Sequence, residues 1–281
     1  MNKIDSIINK INKKSRIPIE SEFLFRKYIS ESLTGKNLIT FYNWECPPRI
    51  LDADKKGRLF INYCVNLEKI FRGETIDNFT EIPRVVKDKE REIDMLKFLK
   101  SLGLKFRFIK LIADTNAYYI TPYSLQVLGK EKIKKVFSDF KRKIEEMIRK
   151  DYKFVEINTF LFTNLTNKYQ KEYENAVFKA LDILDSDISK LIKPKTWNQQ
   201  KEYIKGHLGF KEYQRKEIID IAKRTIATYG AEGILFNLLS KTKNFSNCVW
   251  MNIEEADQRT IAITNCLRQK SRLANLPMIF L

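Results

Sequence analysis

Short apolar segments alternate with longer amphipathic segments along this chain, and that alternation is what most constrains its fold. Strands are predicted where apolar and β-branched residues cluster, and helices where apolar residues recur every three or four positions. The predicted strands are Leu38–Tyr42, Leu59–Val65, Phe106–Ala113, Phe154–Phe162, Cys248–Ile253, Thr260–Thr264 and Met278–Leu281. The predicted helices cover residues 88–101, 130–150, 169–192 and 212–239.

The order of these elements favours parallel strands joined by crossover helices. We therefore predict an α/β fold, a Rossmann-like three-layer sandwich with a mostly parallel central sheet. No linker is evident in the sequence, so residues 1–281 are expected to form a single domain. Residues 1–33 are predicted to form a helical N-terminal extension packed on it, with Ser21 as the cap of a second helix.

The charge of the chain is its main compositional feature. Its 281 residues include 52 Lys and Arg against 35 Asp and Glu, a net charge of +17, and residues 130–153 and 190–224 are especially basic. Such a field attracts phosphate polymers. An AT-biased genome would explain the lysines alone, but it should raise the acidic residues as well. No apolar segment reaches the roughly 18 residues of a membrane span, and no secretory signal is visible, so we predict a cytosolic protein without a membrane partner.

Several common catalytic arrangements are missing from the sequence. Its four cysteines, Cys46, Cys64, Cys248 and Cys266, form no CxxC pair, and His207 is the only histidine, which disfavours a zinc site. No Walker loop, GxGxxG turn, GxSxG elbow or HExxH helix occurs. We therefore predict neither a metal nor an organic cofactor, and general acid–base chemistry would fall to carboxylates, tyrosine or lysine.

Three polar clusters follow predicted strands, where ligands of parallel α/β sheets bind. If they converge on one pocket, they would supply its substrate-binding side chains; taken singly, each is also good turn chemistry. The loop Asn43–Pro48 is the richest, because it offers an amide, an indole, a carboxylate and a thiol. The candidates are Asn43, Trp44, Glu45 and Cys46 in the first cluster, Asp114 and Asn116 in the second, and Glu254 and Arg259 in the third.

A fourth candidate lies on the predicted helix 212–239, where Tyr229 and Glu232 are three residues apart and share a face. A phenol can relay a proton while a carboxylate anchors an amine. The two side chains could equally bond to each other beneath a loop and have no catalytic role. Gly230 and Gly233 favour the functional interpretation, since small residues let a ligand approach the helix closely.

The segment Arg224–Trp250, a helix bearing Tyr229 and Glu232 followed by a strand, resembles the tRNA-dependent cyclodipeptide synthases. That resemblance implies a fold like the catalytic domain of class I aminoacyl-tRNA synthetases, basic helix residues that hold aminoacyl-tRNA, and a Tyr and Glu that position the aminoacyl amine. The family has a nucleophilic serine in the loop that corresponds to Asn43–Pro48, where this chain offers only Cys46. Its Tyr and Glu are four residues apart, against three here.

We therefore predict an aminoacyl-tRNA-dependent transferase that forms a peptide bond, with Tyr229, Glu232 and Cys46 as catalytic residues. Phosphates of the tRNA would be held by Lys134, Lys141, Arg142 and Arg149 on the predicted helix 130–150. Two alternatives stay open. The segments Arg259–Thr264 and Leu276–Leu281 are similar to the end of the isocyanide synthase family, which implies a small-molecule enzyme acting on an amino acid and a sugar phosphate. The basic charge alone fits a non-catalytic RNA-binding protein.

Overall fold

The computed structural model of the chain describes most of its first two thirds and parts of the remainder. The described residues are 2–16, 18, 19, 21–57, 59–63, 67–72, 74, 79–115, 117, 122–191, 198, 219, 220, 223, 224, 227, 228, 231, 232, 235, 236, 238–240, 242, 245–252 and 276–281.

Strands of the described residues form two sheets. The strands are β1 Ile39–Glu45, β2 Arg49–Ala53, β3 Leu59–Asn62, β4 Phe79–Glu81, β5 Phe106–Ile112, β6 Ile157–Leu161, β7 Cys248–Asn252 and β8 Met278–Phe280. The larger sheet has the order β6-β5-β1-β7-β8, and every neighbouring pair in it is parallel. The predicted α/β, Rossmann-like fold with a mostly parallel central sheet is therefore confirmed.

Helices flank this sheet and largely match the amphipathic segments. They span Lys3–Lys14, Glu22–Leu33, Leu67–Phe71, Arg84–Lys87, Lys89–Ser101, Pro122–Leu128, Lys130–Asp151, Phe162–Lys168 and Gln170–Leu191. The described residues between 219 and 239 are also helical. The helix Lys89–Ser101 ends just before Gly103, whose φ of +80° is a backbone conformation that glycine adopts without strain.

The central sheet is covered on both sides because successive side chains of a strand point to opposite faces. On what we call the first face, strand residues such as Phe41 and Phe108 pack with the helices Lys3–Lys14, Glu22–Leu33 and Lys89–Ser101. On the second face, Tyr42, Ile109 and Trp250 are among the strand residues that pack with helices from residue 162 onward. This arrangement gives the three layers that the sequence predicts.

The smaller sheet is antiparallel, with the order β3-β2-β4, and was not predicted. The predicted strand Leu59–Val65 is shorter in the structure and lies in this sheet as β3, not in the parallel one. Buried residues Ile61, Tyr63 and Val85 pack with Phe137 and Phe140 of the long helix Lys130–Asp151 in what we call the third cluster. The short spacing between β2 and β3 fits a hairpin, which antiparallel strands allow and parallel strands do not.

Two local predictions were wrong. Asn43, Trp44 and Glu45 do not begin a loop, because β1 continues through them and its parallel ladder to β5 runs to Glu45 opposite Ile112. The buried polar side chains are tolerated there because they find bonding partners, described below. Ser21 precedes the second helix but makes no side-chain cap bond, and its backbone is left-handed, with φ of 56°.

Candidate functional site

A buried ionic network lies on the first face near the carboxyl ends of β1 and β5. Lys110 sits opposite Asn43 in the ladder, and its Nζ lies 2.8 Å from Glu45 Oε1 and 2.6 Å from Glu92 Oε2. The side chains of Lys110, Glu45 and Glu92 are all 0% exposed. Because isolated buried charges are costly, these three groups hold one another in place.

Two further hydrogen bonds connect these three groups to their neighbours. Asn43 Nδ2 donates to Glu92 Oε2 at 2.5 Å, and the Val85 N–H donates to Glu45 Oε2 at 3.2 Å. The buried Tyr152 hydroxyl interacts with Glu92 without reaching hydrogen-bond geometry, and burial raises its pKa. We call Asn43, Glu45, Glu92 and Lys110 the buried network.

Burial acts on the pKa of one of the two carboxyl groups in the buried network. Burial, with a contribution from the Glu45 charge, raises the pKa of Glu92, and the attraction of Lys110 opposes that rise. A protonated Glu92 leaves one anion, Glu45, to balance the Lys110 cation. The buried network is thus electrically balanced when Glu92 carries a proton.

An aromatic group lies on the second face of the same strand end. The Trp44 ring meets Phe162 edge to face at a centroid distance of 4.7 Å and Phe236 at 6.2 Å, while Tyr42 stacks on Phe236 at 4.2 Å. Tyr42, Phe162 and Phe236 are buried, whereas Trp44 is half-buried. We call Tyr42, Trp44, Phe162 and Phe236 the aromatic group; it has its accessible ring at the strand's carboxyl end.

Glu232 lies on the helical segment that carries Phe236. The Asn247 N–H donates to Ser240 O, and β7 begins at the next residue, so Ser240 lies near the amino end of β7. The helical residues that precede Ser240 therefore lie further towards the carboxyl ends of the strands. Glu232 precedes Phe236 by one turn, about 6 Å along a helix axis. Glu232 is half-buried and lies on the same helical segment as Phe236.

Asp114 supports the aromatic group from β5. Its carboxylate accepts a 3.0 Å bond from the Thr163 N–H and a second, short bond from the Thr163 hydroxyl. Leu161, at the N-cap of the helix Phe162–Lys168, offers no side-chain bond, so Asp114 supplies the acceptor for that helix start. Burial raises the pKa of Asp114, and the bonds from Thr163 oppose the rise.

A surface cavity of about 250 Å³ lies next to Tyr173. Tyr173 lines it and also meets the Phe162 ring edge to face at 5.7 Å. The cavity is lined by Thr166, Asn167, Gln170, Tyr173, Glu174, Val177 and Phe178. Its wall mixes apolar and hydrogen-bonding groups.

The structure brings together only some of the predicted site residues. Trp44 and Asp114 both contact the segment that starts at Phe162, whereas Asn43 and Glu45 are enclosed in the buried network. Cys46 is half-buried, is not in a disulfide, and packs against the third cluster. Asn116, Tyr229, Glu254 and Arg259 lie outside the described residues.

The four predicted RNA-binding residues differ in their surroundings. Lys141 pairs with Glu145 at 2.6 Å, and Arg142 lies 3.5 Å from Asp139 and 4.0 Å from Glu146. Lys134 and Arg149 are exposed, and neither forms an ion pair with a carboxylate among the described residues. These two are the better placed to meet a phosphate.

The sequence held signals for two residues that were missed. Lys110 is a charge inside the otherwise apolar run of β5, which predicts a buried partner. Glu92 precedes Leu96 and Leu99 by four and seven positions, the spacing of the inward face of its helix. Phe162 and Phe236 carry no comparable signal, because their partners are distant in sequence.

No group of three His, Cys, Asp or Glu side chains in the described part of the chain is arranged to hold a metal ion. None of the helices in that part combines the length and apolar character of a membrane span.

Comparison with known proteins identifies no family for this chain. No family profile and no curated protein sequence matches it. Among solved structures it is similar to the Plasmodium falciparum tryptophanyl-tRNA synthetase, with 11% identity and a TM-score of 0.46, over 98% of this chain and 60% of that one. A tryptophanyl-tRNA synthetase homolog from Entamoeba histolytica shares 9% identity, with a TM-score of 0.45 over 98% and 58% of the two chains. The enzyme from Trypanosoma brucei shares 12%, with a TM-score of 0.41 over 98% and 67%.

This chain thus spans about three fifths of the length of the first two of these structures. Their identities and TM-scores are too low to carry a functional argument. The assignment to a Rossmann-like fold rests on the strand order and pairing of the chain itself.

Proposed function

We propose that the protein is an aminoacyl-tRNA-dependent transferase that forms a peptide bond between activated amino acids. The observation that carries this proposal is the half-buried Trp44 at the carboxyl edge of the sheet, in contact with Phe162 and Phe236. Tyr173, which meets the Phe162 ring, lines a cavity, and Glu232 precedes Phe236 by one helical turn. Aromatic rings can hold an amino-acid side chain, and a nearby carboxylate can hold its amine. The net charge of +17 supports an RNA-linked substrate.

The reaction joins two aminoacyl groups without an external energy source. The amine of one aminoacyl group attacks the ester carbonyl of the other, a C–N bond forms, and the ester C–O bond to the tRNA ribose breaks. Glu232 would accept the proton of the attacking amine, Tyr229 would relay it, and the ribose hydroxyl would leave with it. Transfer is direct in this proposal, because Cys46 packs into the third cluster and not into the aromatic group.

The remaining predicted residues have supporting roles in this proposal. Asn43 and Glu45 fix the end of β1 from the opposite face, and so hold Trp44 in place. Asp114 does the same for Phe162. Asn116, Glu254 and Arg259 would contact polar groups of the substrate, and Lys134, Lys141, Arg142 and Arg149 would meet tRNA phosphates without reading sequence.

The test is turnover of charged tRNA by the purified protein. A tRNA pool aminoacylated in vitro is incubated with it, and released dipeptides are measured by mass spectrometry. Glu232→Gln should lower the rate by about 100-fold or more, as expected for loss of an acid–base group. Glu90→Gln, a matched change at an exposed position of another helix, should leave the rate unchanged.

The same experiment separates the alternative functions. Binding of tRNA with no dipeptide, from wild-type protein as from Glu232→Gln, would contradict transfer and favour a non-catalytic RNA-binding protein. An isonitrile product formed from a free amino acid and a sugar phosphate would favour the small-molecule enzyme. Equal rates for Glu232→Gln and Glu90→Gln would contradict the role given to Glu232.

A further inference from the structure

We propose a second RNA-contacting surface on the helices of the first face, distinct from the helix Lys130–Asp151. It consists of Lys14, Lys97 and Lys100 arranged around Phe98 and Phe154, and we call these five residues the lysine surface. Its ligand class is the phosphate backbone of a folded RNA. The inference rests on the proposed function in one respect, since the RNA expected there is the body of the donor tRNA.

Each lysine of this surface is held by a specific contact. Lys14 Nζ lies 4.6 Å from the centre of the Phe98 ring, and Lys97 Nζ lies 5.7 Å from the centre of the Phe154 ring. Lys100 Nζ donates a 2.7 Å bond to Phe154 O. Cation–π and carbonyl contacts position the ammonium groups without neutralising them. Two helices of the chain, Lys3–Lys14 and Lys89–Ser101, thus present these positive charges.

The charges of this surface are not balanced by ion pairs. Among the described residues, no carboxylate lies within ion-pair distance of Lys14, Lys97 or Lys100, whereas the lysine surface has further exposed cations around it. On the helix Lys3–Lys14 the acidic residue is Asp5, which pairs with Arg26. On the helix Lys89–Ser101 the acidic residues are Glu90, Glu92 and Asp94, and Glu92 is buried. The nearby exposed cations are Lys10, Lys13 and Lys153.

The two rings favour RNA over a lipid surface. Phe98 and Phe154 are half-buried and pack against the first-face core, with lysines above them, so they are poorly placed to insert into a bilayer. Stable attachment to a membrane surface needs buried apolar area in addition to positive charge. A phosphate backbone needs only fixed cations, and it releases counterions when they bind.

The position of the lysine surface sets the size of RNA that can use it. Lys100 and Phe154 precede β5 and β6, so this part of the surface lies towards the amino ends of those strands, whereas Trp44 lies at a carboxyl end. Lys14 precedes Ser15, whose hydroxyl donates to Phe280 O at the end of β8. A seven-residue strand such as β5 spans about 23 Å. An RNA whose 3′ end is at Trp44 must therefore extend at least that far, which a full tRNA does and a few terminal nucleotides do not.

The test is tRNA binding by a triple variant and a matched control. Uncharged tRNA is titrated by fluorescence anisotropy across a salt series with wild-type protein, with Lys14→Gln/Lys97→Gln/Lys100→Gln, and with Lys55→Gln/Lys56→Gln/Lys87→Gln, whose positions are also exposed. The first triple should bind about tenfold or more weakly, and its slope of log K against log salt should fall by roughly 2 to 3. The control triple should stay within twofold of wild type.

Three results would overturn the inference. Equal losses in both triples would show that overall charge alone attracts RNA, and unchanged binding in the first triple would show that RNA does not use this surface. Loss of binding to anionic phosphatidylserine vesicles with tRNA binding retained would assign the surface to lipid. Because uncharged tRNA is used, a failure of dipeptide formation would refute the proposed function without deciding this test. Circular dichroism checks that each variant is folded.

Discussion

Asn43 and Trp44 are neighbours on β1, yet they belong to two very different regions. Asn43 points into the buried network, where each charged group has a bonded partner and no side chain of the ion pairs reaches solvent. Trp44 belongs to the aromatic group, where three rings are buried and the indole remains half-accessible. One strand end therefore has a closed ionic face and a partly open aromatic face.

This difference suggests that the two regions have different roles, one structural and one in contact with a ligand. Electrostatic pairing in a low-dielectric interior is strong, and removing one partner leaves a buried charge without compensation. Aromatic packing is less specific and leaves room for a ligand ring or side chain to join it. We infer that the buried network fixes the end of β1 and that the aromatic group is the part that meets substrate.

The largest effect is expected from removing the cation of the buried network. Lys110→Met leaves Glu45 and Glu92 without their shared partner, and breaking a buried pair in this way costs about 3–5 kcal/mol in the free energy of unfolding. Urea denaturation measures it, with Lys56→Met at an exposed position as the control. A loss no larger than that of the control would mean that the buried network does not stabilise this fold.

A smaller loss of stability is expected on the aromatic face. Phe236→Leu keeps most of the buried volume but loses the rings stacked on Tyr42 and set against Trp44, which should cost about 1–2 kcal/mol. Turnover of charged tRNA should fall about tenfold, more than the stability change alone explains. The control is Phe23→Leu, at an 86% exposed position. If both variants lost stability equally, the packing assigned to the aromatic group would be wrong.

A still smaller loss in the free energy of unfolding is expected when Asp114, which supports the helix that begins at Phe162, is replaced. Asp114→Ala removes the acceptor for the Thr163 N–H and hydroxyl, and loss of such a helix-start bond costs about 1 kcal/mol. Asp114→Asn keeps an acceptor oxygen and should lose only part of that amount. Thermal unfolding of the two variants distinguishes them, and a greater loss in Asp114→Asn would count against this account of the helix start.

The smallest effect at low pH, and the most informative pH dependence, is expected from Glu92→Gln. Glutamine has the shape of a protonated glutamic acid, so the two proteins should differ by less than about 1 kcal/mol well below pH 4.5, where Glu92 keeps its proton in both the folded and the unfolded state. The folded-state pKa of Glu92 is raised, so the wild type binds a proton that the unfolded chain releases.

That proton sets the sign of the pH effect. As the pH rises from 4.5 through the raised pKa of Glu92, the wild type should lose stability relative to Glu92→Gln. Denaturant melts of both proteins across that range measure the difference. A wild type that gained stability over the same interval, relative to the variant, would show that Lys110 holds Glu92 ionised and that the direction assigned to its pKa is wrong.

The sequence predicts the central sheet well because its strands are recognisable locally. The apolar run of β5 and the inward stripe of the helix Lys130–Asp151 depend only on neighbours in sequence. The end of β1 was missed for the opposite reason. Asn43 and Glu45 look like loop residues until Lys110 and Glu92 are brought to them by the fold, and no local pattern records that contact.

The candidate site was predictable to a smaller extent. Trp44, Asp114 and Glu232 were selected because they follow strands or lie on a helix near small residues, and the structure puts the first two against the segment that begins at Phe162. Phe162 and Phe236 could not be selected, because aromatic residues at helical spacing usually form core and only their contact with Trp44 distinguishes them. The antiparallel sheet was missed because β2 and β4, five and three residues long, were not recognised, and the predicted strand Leu59–Val65 was assigned to the parallel sheet.

A structure with a bound substrate analogue tests the division between the two faces most directly. The protein would be crystallised with a tRNA minihelix that carries its amino acid through a 3′ amide in place of the hydrolysable ester. We expect the aminoacyl side chain against the Trp44 indole and its amine within hydrogen-bond distance of Glu232. An aminoacyl group bound on the first face, or one far from both Trp44 and Glu232, would contradict the account.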